Sequence, residues 1–593
     1  MEQADFNKNF TLESLFIGFF EELTNNSTID SYRAKSSSIR SSLKELYQIL
    51  SDWRAKKIKS PDTVAIIRDE LYDLITGDSH LKYGKVHKQM FQELLTSLRC
   101  DNPANMKLDV IQDIEYNIYY LITLNKDFHV TLINDIESIL LDTYSDEHIF
   151  IEAQRRLNKT CNMLVSELLN SGYSRKFIIK YIKSQFNMTN KNNFRTRWNN
   201  FKYIFSFERD TEYIVVFRLY INIDAVLKTD FGQLKEDIVN VSEKYNLDKN
   251  KRIKQFLNKN PLESFLPIEI KALDHFQAVT NARNELTIIL DIIHLIYPHS
   301  IQTLNAHVLV VNTELPDESQ IIVPSTQIDG ISVNPENYIE LISKLVKIKQ
   351  NTHISDEVTD KLYSCVKHLR LANEADEMEQ KFLNCWIGLE NIFANYSLDS
   401  STFRRIKENL VNAHVVSYVK RNIYNLHKTI SKSKINKTLS LFNKDDIQYL
   451  TQIQTYNEII SSGSEYPLIV FRAQYLKSIL FNGKKRIEYV GKHEKNLERH
   501  LVRMYRIRNE IVHDAKSSYQ LEGIYTNLRY YLTFILSKCV EFFSDCHHKP
   551  VIQDKIGFED FFSYQRSILK SLKKEEYDVT KCISVPHSVN LFS

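Results

Sequence analysis

Apolar positions recur at helical spacing through the first two hundred residues. Leu43, Leu46, Tyr47 and Leu50 fall on one helix face, and Val64, Ile67, Leu71 and Leu74 on another. This follows the helical period of about 3.6 residues, not the alternation of a strand. From residue 201 the pattern changes. Phe201–Phe207 and Tyr213–Ile223 are rich in aromatic and β-branched residues and are separated by Glu208, Arg209, Asp210 and Thr211, which predicts a β-hairpin. A long helix is expected over Ile268–Ile296, then strands over Ala306–Val311 and Gln320–Val323, with Gly330 and Pro335 as punctuation. Helical periodicity returns at Ile354, where Val358, Leu362, Cys365, Val366 and Leu369 share a face. It continues in helices over Glu377–Phe393, Lys495–His513 and Gly523–Phe543, around a less regular stretch containing Pro467.

The pattern predicts a mainly α chain with a helical region over 1–200, an α+β region over 201–353 and a helical bundle over 354–547. Residues 548–593 read as a tail, either an arm or a docking segment. At 593 residues the chain is too long for one core, and about two to four domains are expected.

Composition narrows the functional classes. With 43% hydrophobic and 25% charged residues the chain can bury ordinary cores. Lys+Arg 77 against Asp+Glu 74 leaves a net charge of +3, so any nucleic-acid contact must come from local patches. The 7 cysteines include no CxxC pair, which points to a reduced, cytoplasmic chain. Met1–Phe20 has no cationic start followed by an apolar run, and Leu286–Tyr297 is interrupted by Asp291 and His294, so neither a secretory signal nor a membrane partner is expected. The 12 glycines form no GxGxxG, and Gly483 and Gly491–Lys492 have the wrong spacing for a P-loop. Dinucleotide and ATP chemistry, and a cofactor generally, are therefore not expected.

The segment from Leu501 to His513 carries the chemistry. On an ideal helix, at about 100° per residue, Leu501, Tyr505, Arg508 and Val512 form one narrow stripe, which sets Arg508 amid apolar neighbours. A desolvated, unpaired guanidinium is costly, so the stripe must meet a carboxylate, a phosphate or another subunit. His513 follows Asn509 by one turn on the same side, and an imidazole can both take and give a proton. An arginine that holds phosphate and a histidine that moves a proton are what metal-independent RNA cleavage requires.

Arg508-Asn509-Glu510-Ile511-Val512-His513 resembles the Arg, polar residue, spacer, His motif of the HEPN (higher eukaryotes and prokaryotes nucleotide-binding) superfamily. Phe382-Leu383-Asn384-Cys385-Trp386-Ile387-Gly388-Leu389-Glu390 looks like the earlier helix of its Apea-like group. The resemblance covers roughly residues 355–547. It implies an endoribonuclease with Arg508, Asn509, His513 and Glu390 as active-site residues, leaving a 2′,3′-cyclic phosphate. It also implies a homodimer that brings two motifs to one groove, and a toxin-like role in antiviral defence or abortive infection. The first 350 residues would then be a sensor or regulator answering to an unidentified trigger. The rival reading is a non-catalytic RNA-binding or dimerisation scaffold.

Glu390 also intrudes on an apolar face, made by Leu383, Trp386, Ile387 and Phe393, so a pairing of Glu390 with Arg508 is expected. Lys484, Lys485 and Arg486 form a basic run that, with Arg506, is the candidate RNA-contacting set. Arg421 and His427 satisfy a loose version of the motif, but Arg421 points away from the stripe of Val415, Val419, Leu426 and Ile430, so that copy reads as a solvated face. Cys546-His547-His548 lacks partner ligands for zinc, and no metal is expected. Asp274, His275 and Glu285 make no compact acid–base set.

Overall fold

The computed structural model describes residues 2–581 apart from 25–37, 59–60, 77–84, 99–107, 125, 145, 187–192, 207–209, 221–240, 259–263, 297–302, 305–306, 324–334, 376, 396–400, 515–520, 546–554 and 579. Its first part is helical: α1 (Glu2–Thr24), α2 (Ile39–Arg54), α3 (Pro61–Thr76), α4 (Lys85–Leu98), α5 (Leu108–Leu124), α6 (Phe128–Leu141), α7 (Glu147–Ser171), α8 (Arg175–Gln185) and α9 (Phe194–Phe205). Side-chain caps set several starts. Ser38, Asp146 and Ser174 each accept from the backbone N–H three residues on. Gly172, at φ 113°, ends α7 in the left-handed conformation that a residue with a Cβ disfavours. Phe16, Phe20, Leu43, Leu71, Ile118 and Leu164 lie in the common core.

Phe201–Phe205 is helix and not the strand that the hairpin reading required, while Phe207, Glu208 and Arg209 lie outside the described residues. Phe201 and Phe205 sit one turn apart on α9, and Phe201 meets Phe16 edge-on at 5.6 Å between ring centroids. Aromatic rings fill a buried helix stripe as readily as a sheet face. The strand β1 (Thr211–Tyr220) pairs instead with β2 (Ser264–Ala272), antiparallel, with Thr211 opposite Ala272. The other strands are β3 (Thr303–Leu304), β4 (Val308–Asn312) and β5 (Gln320–Ile322), in the order β2-β1-β4-β5 with β3 beside the end of β1. The helix expected from Ile268 starts only at His275, because Ile268–Ala272 belong to β2. Both sheet faces are covered, so β2 lacks the clean alternation that marks a half-exposed strand. Helix α10 (Lys251–Leu257) adds Ile253 and Phe256 to one covered face. The opposite face packs on α11 (His275–Ile296) through Ala278, Ala282 and Leu286. Buried Asp274 accepts from the Phe276 and Gln277 backbone N–H groups and from the Ser174 backbone and hydroxyl, so it caps α11 and ties the sheet to α8.

The third part comprises α12 (Pro335–Gln350), α13 (Asp356–Glu374), α14 (Met378–Phe393), α15 (Thr402–Lys432), α16 (Ile453–Ser462), α17 (Pro467–Leu480), α18 (Gly483–Asp514), α19 (Leu521–Ser544) and α20 (Phe558–Leu572). The stretch around Pro467 is thus helical, with Pro467 at the first turn of α17, where its missing N–H has no helical partner to lose. The bundle core is wider than 354–547: Leu341, Leu345 and Ile348 of α12 and Phe558, Phe561, Phe562 and Leu569 of α20 belong to it. The C-terminal segment therefore docks through α20. The chain is mainly α, and among the described residues no helix is long and apolar enough to cross a membrane. The first part rests on the bundle where Phe19 meets Phe471 at 5.1 Å and Glu22 pairs with Arg472, and again where α2 and α3 meet α18.

Candidate active site

The 32-residue helix α18, about 48 Å long, passes from the bundle interior to an open end. Leu501 is buried, Tyr505 is half-buried and Val512 is exposed, so the apolar stripe climbs out of the core as it reaches the motif. Arg508 consequently sits at the margin of the core, not in its centre. Its Nη2 lies 3.9 Å from Glu390 Oε2 of α14, with both side chains 28% exposed, and its Nη1 donates to Asn509 Oδ1 at 3.2 Å. The expected pairing is present. At this distance and exposure it is worth at most about 1 kcal/mol, enough to orient the guanidinium without removing its capacity for a phosphate.

An aromatic triad sets the two helices beneath this pair. Phe403 of α15 stacks on Tyr505 at 4.1 Å, and Trp386 lies 5.9 Å from Tyr505 and 6.4 Å from Phe403. Tyr505 is one turn before Arg508, and Trp386 one turn before Glu390. His513 is exposed on the last turn of α18. Five residues separate it from Arg508, which on an ideal helix is about 140° round and about 7.5 Å along. Arg508, Asn509 and Glu390 are thus brought together, while His513 projects from a different side. No family model, curated protein or solved structure matches this chain. The chemistry of the site is therefore read from its own residues.

The candidate RNA-contacting set is largely dissolved by the structure. Arg486 is 1% exposed, and its guanidinium donates to the Lys574 and Glu575 carbonyls at 2.8 and 3.0 Å, with longer contacts to Leu480 O and Leu572 O. It clamps the turn after α20 onto the start of α18. Gly483 serves the same contact, since a Cβ there would collide with the Glu575 backbone. Lys484 and Lys485 are exposed, but they lie 29 and 28 residues before His513 on one helix, about 42–44 Å along it, too far to share its phosphate in one chain. Arg506 is half-buried and pairs with Glu45 at 3.1 Å and Glu510 at 3.3 Å, so it serves an internal ion network.

That network is what sequence reading missed. Arg503 donates through Nε to both Glu45 carboxylate oxygens, at 3.0 and 2.8 Å, and through Nη2 to Glu70, while Arg499 pairs with Asp73. Burial pushes the Glu45 carboxyl up, but Arg503 and Arg506 together outweigh it and hold it below the usual range. Burial dominates at Glu70 and keeps it above that range despite Arg503.

The loose motif copy is also corrected, because Arg421 and His427 do not form a solvated face. His427 is buried between the Tyr449 hydroxyl and the Lys444 carbonyl, at 3.0 and 3.1 Å. Arg421 reaches inward to the Tyr530 hydroxyl and the His414 carbonyl. Helix α15 is enclosed by neighbours on several sides, so a single apolar stripe understates what it buries. Beside Arg421, His414 Nδ1 and His493 Nε2 are 3.0 Å apart, and His493 stacks on Tyr418 at 3.4 Å. Burial, then Arg421 and His493, hold His414 well below its usual pKa, so it is neutral at physiological pH and shut off from solvent. Cys546-His547-His548 lies outside the described residues.

Proposed function

We propose that the protein is a metal-independent endoribonuclease of the HEPN type, acting in the cytoplasm as a toxin-like effector in antiviral defence. The observation that carries this reading is the Arg508–Glu390 contact at 3.9 Å, which joins the two motif-bearing helices and leaves the guanidinium partly open to solvent beside Asn509. In the reaction His513 takes the 2′-hydroxyl proton, O2′ attacks the adjacent phosphorus and the P–O5′ bond breaks. The proton passes to the leaving 5′-oxygen, and the upstream fragment keeps a 2′,3′-cyclic phosphate. Arg508 stabilises the charge that grows on the phosphoryl oxygens, and because it and His513 project from different sides of one α18, the two meet a single phosphate across the homodimer groove, one from each protomer.

Two further features support the reading. Ile387, one turn before Glu390, and Val512, one turn after Arg508, are 44% and 48% exposed, and this apolar rim suits a homodimer that sets two sites across one RNA groove. Cys161, Cys365, Cys385 and Cys539 are free and buried, as suits a reducing compartment. The test is incubation of the purified protein with end-labelled cellular RNA in EDTA. Wild type should cut and leave a cyclic phosphate, and Arg508→Ala and His513→Ala should not, with circular dichroism unchanged. RNA bound but left intact by the wild type would replace the enzyme with an RNA-binding scaffold.

A further inference from the structure

Arg499, Arg503, Arg506, Glu510 and His513 follow one another at intervals of four, three, four and three residues, which sets them within about 80° on one side of α18. Arg508 lies on the opposite side. The first three members are each met by carboxylates of the N-terminal helices: Arg499 by Asp73, Arg503 by Glu45 and Glu70, and Arg506 by Glu45. Glu45 bridges two rungs, and Arg506 passes the contact on to Glu510, one turn before His513. The side of the catalytic helix that ends in His513 is therefore the side gripped by α2 and α3.

Apolar packing would join these parts with less desolvation, since buried ion pairs are weak sources of stability. What they supply is register. A greasy face tolerates sliding, whereas three arginines at heptad spacing fit Asp73, Glu70 and Glu45 in one rotation only, because a shift of one residue turns every guanidinium by about 100°. The grip stops at Arg506, eight residues before the end of α18, and is carried toward the last turn, which frays unless something holds it, by the Arg506–Glu510 pair.

We infer that Glu45, Glu70 and Asp73 are positioning residues that, through Arg499, Arg503 and Arg506, fix the rotation of α18 and so the placement of Asn509 and His513. The consequence for catalysis rests on the ribonuclease reading; the consequence for the helix does not. The N-terminal helices are on this view part of the catalytic apparatus, and cutting depends on their being docked.

The experiment uses the full chain with Glu45→Gln, Glu70→Gln, Asp73→Asn and Arg503→Lys, and reads hydrogen exchange alongside cleavage. Glu45→Gln should speed exchange of the 507–514 amides several-fold while leaving 484–496 unchanged, and should lower kcat about tenfold with KM held within about twofold. Arg503→Lys, which keeps the charge but not the fork, should fall between Glu45→Gln and wild type. Asp73→Asn removes the most exposed rung, so it should fold and show the same changes at smaller size; it carries the test if an inner variant does not fold. Exchange of 507–514 at the wild-type rate in folded variants with lowered Tm would reduce the ladder to interdomain glue and overturn the inference. If the wild type cuts no RNA, the functional reading fails by itself, and the exchange measurement still decides the ladder.

Discussion

Replacing Arg486 with alanine removes a guanidinium that sits in the bundle and holds the turn following α20. Its two short hydrogen bonds, to Lys574 O at 2.8 Å and Glu575 O at 3.0 Å, are charge-assisted, and each is worth about 1.5–3 kcal/mol. The contacts to Leu480 O and Leu572 O, at 3.4 and 3.5 Å, add little. Packing against Tyr577, 5.6 Å from the guanidinium to the ring centroid, is lost as well. Arg486→Ala should therefore destabilise the bundle by about 3–5 kcal/mol, which at about 2–4 °C per kcal/mol lowers its melting transition by about 10 °C. Differential scanning calorimetry reads the shift, and filter binding of single-stranded RNA, well below the transition, reads the second half of the prediction. There the variant should bind as wild type does. An unchanged Tm combined with weakened RNA binding would refute the reasoning, because it would mean that Arg486 faces solvent and phosphate.

Glu390→Gln leaves the aromatic triad in place and removes only the charge that orients Arg508, so cleavage should fall about two- to fivefold, matching a pair worth at most about 1 kcal/mol. A loss as deep as that of Arg508→Ala would mean that Glu390 has a chemical role of its own. His414 is held neutral in the folded protein, whereas its unfolded pKa is about 6.5, so below that pH the unfolded chain binds the extra proton and stability falls as pH falls. Between about pH 7 and pH 5.5 the wild type should lose about 1 kcal/mol relative to His414→Gln, a comparison that cancels the carboxylates titrating in the same range. Parallel urea-unfolding curves for the two proteins across that range would show the histidine to be irrelevant.

How much of this was legible depends on whether the partner lay within one helix pattern. Arg508 and Glu390 each interrupt an apolar stripe, and two such interruptions in one bundle point at each other, so that contact could be anticipated from helix geometry. Arg503 gave no such sign. It stands amid other charges, and its partners Glu45 and Glu70 are 458 and 433 residues away, on helices whose own patterns fix only which face is buried. The run Lys484-Lys485-Arg486 misled because a helix turns about 100° per residue, so neighbours of like charge can face water and core in succession. Within the Phe201–Phe207 run, Phe201 and Phe205 are four apart and carry helical spacing. The start of α11 is likewise marked by Asp274, an ordinary helix-capping residue placed just ahead of the run.

The separation of the ladder's two sides also imposes an order in time. The helices α2 and α3 leave the ribosome 433 residues before the arginine that joins Glu70, which at about 5–20 residues per second is roughly 20–90 s of synthesis. Through that interval Glu45, Glu70 and Asp73 lack the arginines that meet them in the folded protein, and the closing contact spans 433 residues. A nascent or truncated product that stops short of residue 506 holds the N-terminal surface without its counterpart. Docking of the two parts thus waits until residues 499–506 have been made, long after the helices that carry the carboxylates.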